Sequence, residues 1–236
     1  MCAGASVYEA LDAAGVKSSD RIGVYGIGGL GSMTIQFCKA MGCGVTAVSS
    51  ATGSEILTKM NNAFDLGADE FRTAADPLPW ATSEVTLANS KGIGSLINVL
   101  LVTSNALPDF RKILPILARR ATIVLMTIGQ ADLNIPYMPF ILPGHKLVAS
   151  TEASRRNHVD MLAFVARHKI VPRIEEFPMS KKGLETAFER LESGKMRYRG
   201  VLVVPTKKHA REPEETGEYV ANCGCPDRTK VEEESV

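Results

Sequence analysis

Gly26-Ile27-Gly28-Gly29-Leu30-Gly31 decides how this chain is read. The run follows residues 22–26, a short apolar stretch stopped by glycine that reads as a buried strand. It opens residues 30–41, where Leu30, Met33, Phe37 and Met41 share one helical face. Glycines between a strand and a helix have distinct tasks. The first permits the tight turn, Gly28 lets backbone approach a pyrophosphate, and Gly31 lets the helix pack closely on the sheet. The helix N-terminus then offers free N–H groups and partial positive charge to the phosphates. A second strand over 45–49 follows at the right distance. The segment therefore reads as a dinucleotide-binding turn, with Gly26, Ile27, Gly28, Gly29, Leu30 and Gly31 as candidate cofactor contacts. The plainer alternative is an ordinary glycine-rich turn between a strand and a helix.

The end of the second strand bears on which dinucleotide. An acidic residue about 20 positions after the turn binds a ribose 2′-hydroxyl and repels a 2′-phosphate. Here the chain runs Val48-Ser49-Ser50-Ala51-Thr52, with no carboxylate before Glu55. Small hydroxyls at Ser49 and Ser50 leave room for a 2′-phosphate and can donate to it. The nearest base is Lys59. The pattern favours NADP, with NAD as the alternative.

Working outward, helices and strands continue to alternate. Residues 55–66 place Ile56, Leu57, Met60 and Phe64 at helical spacing, and Gly67 suits a helix C-cap. Residues 70–73 read as a third strand, 96–102 as a central strand and 107–117 as a helix. Pro108 suits that helix's first turn, and Pro115 marks a bend or its end. Residues 121–127 and 146–150 read as further strands. The order predicts an α/β fold, a Rossmann doubly wound parallel sheet covered on both faces. Beyond it, 174–179 and 199–204 read as strands, and 181–193 as a helix with Leu184, Ala187, Phe188 and Leu191 on one face.

Composition excludes several classes. The 236 residues carry a net charge of +1 and a mean hydropathy of +0.02, so no broad basic surface exists for nucleic acid. The uncharged stretch 92–108 contains glycines, asparagines and a proline and falls short of a spanning helix, so no membrane association is expected. The N-terminus does not read as a signal peptide. Five unevenly spaced cysteines make no secreted disulfide framework, and the expected compartment is cytoplasmic. Residues 206–236 hold thirteen charged residues and few large apolar ones, so they read as a disordered tail carrying Cys223 and Cys225.

The chain also resembles a known family, the zinc-dependent medium-chain alcohol dehydrogenases, and within it the cinnamyl-alcohol-dehydrogenase-like branch. The resemblance covers residues 1–205. Its anchors are Met1-Cys2-Ala3-Gly4-Ala5-Ser6-Val7-Tyr8, the glycine turn, and Leu66-Gly67-Ala68-Asp69-Glu70-Phe71. Pro143-Gly144-His145-Lys146 and Arg197-Tyr198-Arg199 are the others. The resemblance implies an oxidoreductase that transfers hydride between NADP(H) and an alcohol or aldehyde, with zinc polarising the oxygen. It also implies a chain lacking the family's N-terminal catalytic barrel, and with it most of the zinc ligands. Cys2 matches the family's third catalytic zinc ligand, and a catalytic zinc needs three protein ligands and an open position. The expectation is that this chain alone does not hold the metal; its catalytic residues are unassigned.

On that basis residues 1–18 are a remnant of the catalytic-domain linker and 19–152 the Rossmann dinucleotide-binding domain. Residues 153–205 are a return segment toward the catalytic domain, a C-terminal remnant of it. Ser150 keeps a hydroxyl that the family has near the nicotinamide, whereas Thr127, Ala149 and Ala153 stand where the family has glycines. Glu152 places a charge where the family has an apolar residue. Arg197 and Arg199 are either surface residues or phosphate contacts. The resemblance implies a homodimer through residues 134–150. The alternative function is a truncated, non-catalytic module that binds a dinucleotide or dimerises.

Overall fold

A computed structural model describes residues 2–75, 96–130 and 132–204. The tail assigned to disorder, with Cys223 and Cys225, lies outside the described residues. The chain forms two compact units: residues 1–174 with 197–199, and residues 175–196 with 200 onward.

In the first unit, helix α1 (Cys2–Ala13) precedes strand β1 (Arg21–Tyr25), helix α2 (Gly29–Ala40) and strand β2 (Gly44–Ser49). Helix α3 (Glu55–Asp65), strand β3 (Glu70–Thr73) and strand β4 (Ile97–Val102) follow. Then come a short helix α4 (Phe110–Ile113), strand β5 (Leu117–Leu125), a short helix α5 (Tyr137–Ile141), strand β6 (Lys146–Ala149) and helix α6 (Arg155–His168). The six strands form one parallel sheet in the order β3-β2-β1-β4-β5-β6. That is the doubly wound order in which the chain reverses direction across the sheet beside β1.

The central strand β4 is covered on both faces, so residues 99–102 are apolar throughout rather than alternating. On β4, Val99 and Leu101 join a cluster with Val24, Val45, Phe37, Leu11 and Met161. Ile97, Leu100 and Val102 join a second cluster with Phe110, Ile113 and Ile123. Each fully buried Ile, Leu or Phe contributes roughly 1.5–3 kcal/mol. Helices α1 and α6 are part of this packing. Val7, Ala10 and Leu11 of α1 are buried, and the rings of Tyr8, Phe37 and Phe164 pack with centroids 5.5–6.3 Å apart.

The Leu66–Phe71 anchor has a structural account. Gly67 closes α3 at φ +104, a value other residues rarely adopt. Asp69 then accepts from the Val45 N–H at 2.7 Å and pairs with Lys39 at 2.7 Å, which registers β3 against β2. Glu70 is buried and fully engaged, accepting from Arg72 at 2.7 Å and Thr46 at 3.1 Å.

The segment 107–125 departs from the sequence expectation. The helix read over 107–117 is only one α-turn, started by the Asp109 carboxylate accepting from the Arg111 N–H at 3.0 Å. Pro115 has no N–H to continue it, and residues 114–116 tighten into a 3₁₀ turn. The strand expected over 121–127 therefore starts earlier, at Leu117, which pairs with Ile97. The register breaks before Thr122 pairs with Val99, and Arg120 adopts φ +58 at the irregularity.

His145 enters β6 with both ring nitrogens buried and, among the described residues, without hydrogen-bond partners, 6.0 Å from the Phe140 ring. Burial holds its pKa below the ordinary imidazole value of 6.5, because the charged ring would lose hydration. Between the folded value and 6.5 the unfolded chain binds more protons, so stability rises with pH. It is fully present above the unfolded value and is lost as pH falls through 6.5 toward the folded one. Replacing His145 with Phe is expected to flatten this dependence, whose slope is at most about 1.4 kcal/mol per pH unit. Urea unfolding from about pH 5 to about pH 8 measures it, and an unchanged slope would assign the dependence to other groups.

In the second unit, strand β7 (Glu175–Pro178) pairs parallel with strand β8 (Gly200–Val203), and helix α7 (Lys181–Glu192) connects them. Ser180 caps α7 by accepting from the Gly183 N–H at 3.1 Å. Leu184, Phe188 and Leu191 of α7 are exposed. No helix among the described residues is long and apolar enough to cross a membrane.

Candidate dinucleotide site

The glycine turn leaves β1 where the sheet order reverses, between β1 and β4. Strand ends there are tied together by short bonds. Gly26 N–H donates to Val48 O at 2.9 Å, and Thr103 N–H donates to Tyr25 O at 2.9 Å. The Thr103 hydroxyl donates to Gly26 O at 2.7 Å. Gly26 and Gly31 each have a structural task at the turn. Gly26 has φ +100, and a Cβ there would stand 2.7 Å from the Ser104 backbone nitrogen. A Cβ on Gly31 would stand 1.9 Å from Gly26 O, so this position sets how closely α2 approaches the turn.

Gly28 is different. It is extended, with φ −101 and ψ −151, it is exposed, and a Cβ on it would meet nothing within 4 Å. The space above its backbone is open to a ligand. The first bond inside α2 runs from Ser32 N–H to Gly28 O at 2.9 Å. The N–H groups of Gly29, Leu30 and Gly31 therefore have no acceptor within the helix. Ile27 is buried and Leu30 half-buried, so these two hold the turn by packing. A backbone-lined cradle at the positive end of a twelve-residue helix fits an anionic diphosphate.

Residues 197–199 lie against this turn. A Cβ on Gly29 would stand 2.8 Å from Tyr198 O and 3.6 Å from an Arg199 guanidinium nitrogen. Arg199 is exposed. The structure thus brings together two motifs that sequence spacing left 170 positions apart.

The remaining candidates lie along the same edge of the sheet. Ser49 is buried, and its hydroxyl accepts from the Ala51 N–H at 3.2 Å; Ser50 is exposed beside it. Ser150 is buried just beyond β6, and its hydroxyl donates to the Glu9 carboxylate of α1. Thr127 donates to Ser104 O at 2.8 Å, linking the segments that leave β4 and β5. Sequence reasoning missed Glu9, Thr103 and Ser104. No local pattern marks them, because each meets its partner only through the sheet.

Cys2 is exposed at the start of α1, with no group of three or more His, Cys, Asp or Glu side chains near it or elsewhere among the described residues. These residues do not make up a catalytic zinc site. His158 and His168 lie on α6, the first bonded to Ser154 O at 2.9 Å and the second packed 4.5 Å from the Phe164 ring.

A doubly wound sheet with a glycine cradle at its reversal point defines a Rossmann-type protein. The model of the zinc-binding dehydrogenase family matches residues 29–167, and the chain belongs to that family. It is 32% identical over 204 residues to an alcohol dehydrogenase of Geobacillus stearothermophilus, a match spanning 86% of this chain and 56% of the relative. It is 31% identical to cinnamyl alcohol dehydrogenase 8 of Arabidopsis thaliana, over 86% of this chain and 53% of that one. The solved cinnamyl alcohol dehydrogenase of Sorghum bicolor superimposes with a TM-score of 0.68 at 27% identity, over 91% of this chain and 56% of that one. The chain spans about half the length of the relatives it matches.

Proposed function

We propose that this chain is the cofactor-binding part of an oxidoreductase that passes hydride between NADP(H) and a small alcohol or aldehyde. Its catalytic machinery is completed by further chain or by a partner. The observation that carries this reading is the open cradle above Gly28 at the reversal point of the sheet. Gly26 and Gly31 shape the turn, while the α2 N–H groups and Arg199 face the pyrophosphate. The bound nicotinamide supplies the hydride chemistry. This chain's residues bind and orient it, with Ser150 at the nicotinamide end. Ser49 and Ser50 sit at the adenosine end, and the absence of a carboxylate before Glu55 favours NADP over NAD. Residues 19–152 are the cofactor domain in this reading. Residues 1–18 and 153–205 are the parts the full enzyme type shares with its catalytic domain.

A second reading is a module that binds the dinucleotide without catalysing. It is favoured by one observation: Gly26, Gly28, Gly31, Thr103 and Arg199 all belong to the first compact unit, which therefore holds the cradle by itself. In either reading the protein pairs as a homodimer through residues 134–150. Support comes from the exposed Tyr137, Met138 and Leu142 beside the edge strand β6. Cys2, Cys38 and Cys43, unpaired among the described residues, support a cytoplasmic setting.

One sample tests these points. Fluorescence titration is expected to show saturable NADPH binding, tighter than NADH, with little turnover, and sedimentation is expected to give twice the chain mass. No saturable binding of either dinucleotide would overturn the reading. About one zinc per chain with robust aldehyde reduction would show that the chain is catalytically complete.

A further inference from the structure

Glu9 lies on α1 facing the segment that leaves β6. Ser150 stands at the exit of β6 and is fixed there by its N–H donating to Leu125 O at 3.0 Å. Its hydroxyl donates to Oε2 of Glu9. One turn earlier on α1, the Ser6 hydroxyl donates to Thr151 O at 3.4 Å. Residues three apart on a helix share a face, so Ser6 and Glu9 hold α1 along the segment leaving β6. Glu9 is half-buried and Ser6 buried. The carboxylate is therefore held in place rather than free in solvent.

The sheet order says which part of a dinucleotide meets that carboxylate. In a doubly wound sheet the ligand lies across the carboxyl ends of the strands, with its pyrophosphate at the turn after β1. One nucleoside lies toward β2 and β3, the other over β4, β5 and β6. With the adenosine toward Ser49 and Ser50, the nicotinamide half lies toward Ser150 and Glu9. This inference rests on the function proposed above.

We propose that Glu9 makes the protein discriminate between the redox states of its nicotinamide, favouring the oxidised one. The oxidised ring carries a positive charge and the reduced ring is neutral. A fixed, partly desolvated carboxylate attracts the first and gains nothing from the second. A preference of about tenfold lowers the potential of the bound two-electron couple by about 30 mV. Bound NADPH is then the stronger hydride donor, so the site is biased toward reducing an aldehyde rather than oxidising an alcohol.

The test is equilibrium binding of NADP+ and of NADPH, measured separately on the full chain and on Glu9→Gln. The amide keeps an oxygen that accepts from Ser150 and removes only the charge. The expected result is an NADP+ Kd raised about tenfold, with the NADPH Kd changed by less than about twofold. Equal weakening of both, or no change in either, overturns the proposal, since a structural role does not separate the two forms. Glu9→Asp, which retains the charge, is expected to keep most of the preference. A preference lost in a folded Glu9→Asp would assign it to shape and overturn the charge argument. If the native chain binds neither form, the proposed function itself fails, and this inference with it.

Discussion

Gly31→Ala is expected to destabilise the first compact unit by about 3 kcal/mol or more, a large share of the stability of an ordinary domain. The single added carbon would stand 1.9 Å from Gly26 O and 3.1 Å from the Thr103 hydroxyl. Gly26 O is the acceptor of that hydroxyl at 2.7 Å, and Gly26 N–H is bonded to Val48 O. The obstructing atom is thus backbone tied to β2 and β4, not the far end of a side chain that can swing away. Relief requires α2 to move off the sheet. That movement would open the contacts of Ile35 and Phe37, both fully buried residues of α2 itself. Thermal or urea unfolding measures the effect. A midpoint within a degree or so of the native one would mean that the turn relaxes cheaply, and would remove Gly31 from the structural argument.

How much of this was legible in the sequence depends on whether the deciding contact is local. Strand β3 was placed at its observed bounds, and α2 and β2 within one residue, because apolar period and glycine stops act over a few positions. The glycine turn was legible for the same reason. The segment 107–117 was not, because its periodicity suited a helix while Pro115 removed a donor and Ile97 offered Leu117 a strand partner. Periodicity cannot see that partner, which lies 20 positions away across the sheet. Helix α1 is a related case. Residues 1–18 read as a remnant by resemblance, yet Val7, Ala10 and Leu11 are buried against the sheet's own helices. The Arg197–Arg199 motif could be weighed but not placed, since only the folded chain carries Tyr198 O to Gly29. The Glu9–Ser150 bond spans 141 positions and had no signal in the sequence.

Gly28→Val is expected to show the opposite split, abolishing dinucleotide binding while leaving the fold nearly intact. At φ −101 and ψ −151 the backbone is extended, and a Cβ there meets nothing within 4 Å. The cost to stability is the loss of a favourable helix-capping residue, about 1 kcal/mol at most. The space filled, however, is the one a pyrophosphate must enter to reach the N–H groups at the start of α2. Each hydrogen bond to a charged group contributes about 1.5–3 kcal/mol, so two lost bonds weaken binding by about a hundredfold or more. NADPH titration and a thermal melt on the same preparation separate the outcomes. Lost affinity with an unchanged melt assigns Gly28 to the ligand, just as a lowered melt in Gly31→Ala assigns Gly31 to the chain. Retained affinity in Gly28→Val would mean that the turn is only structural.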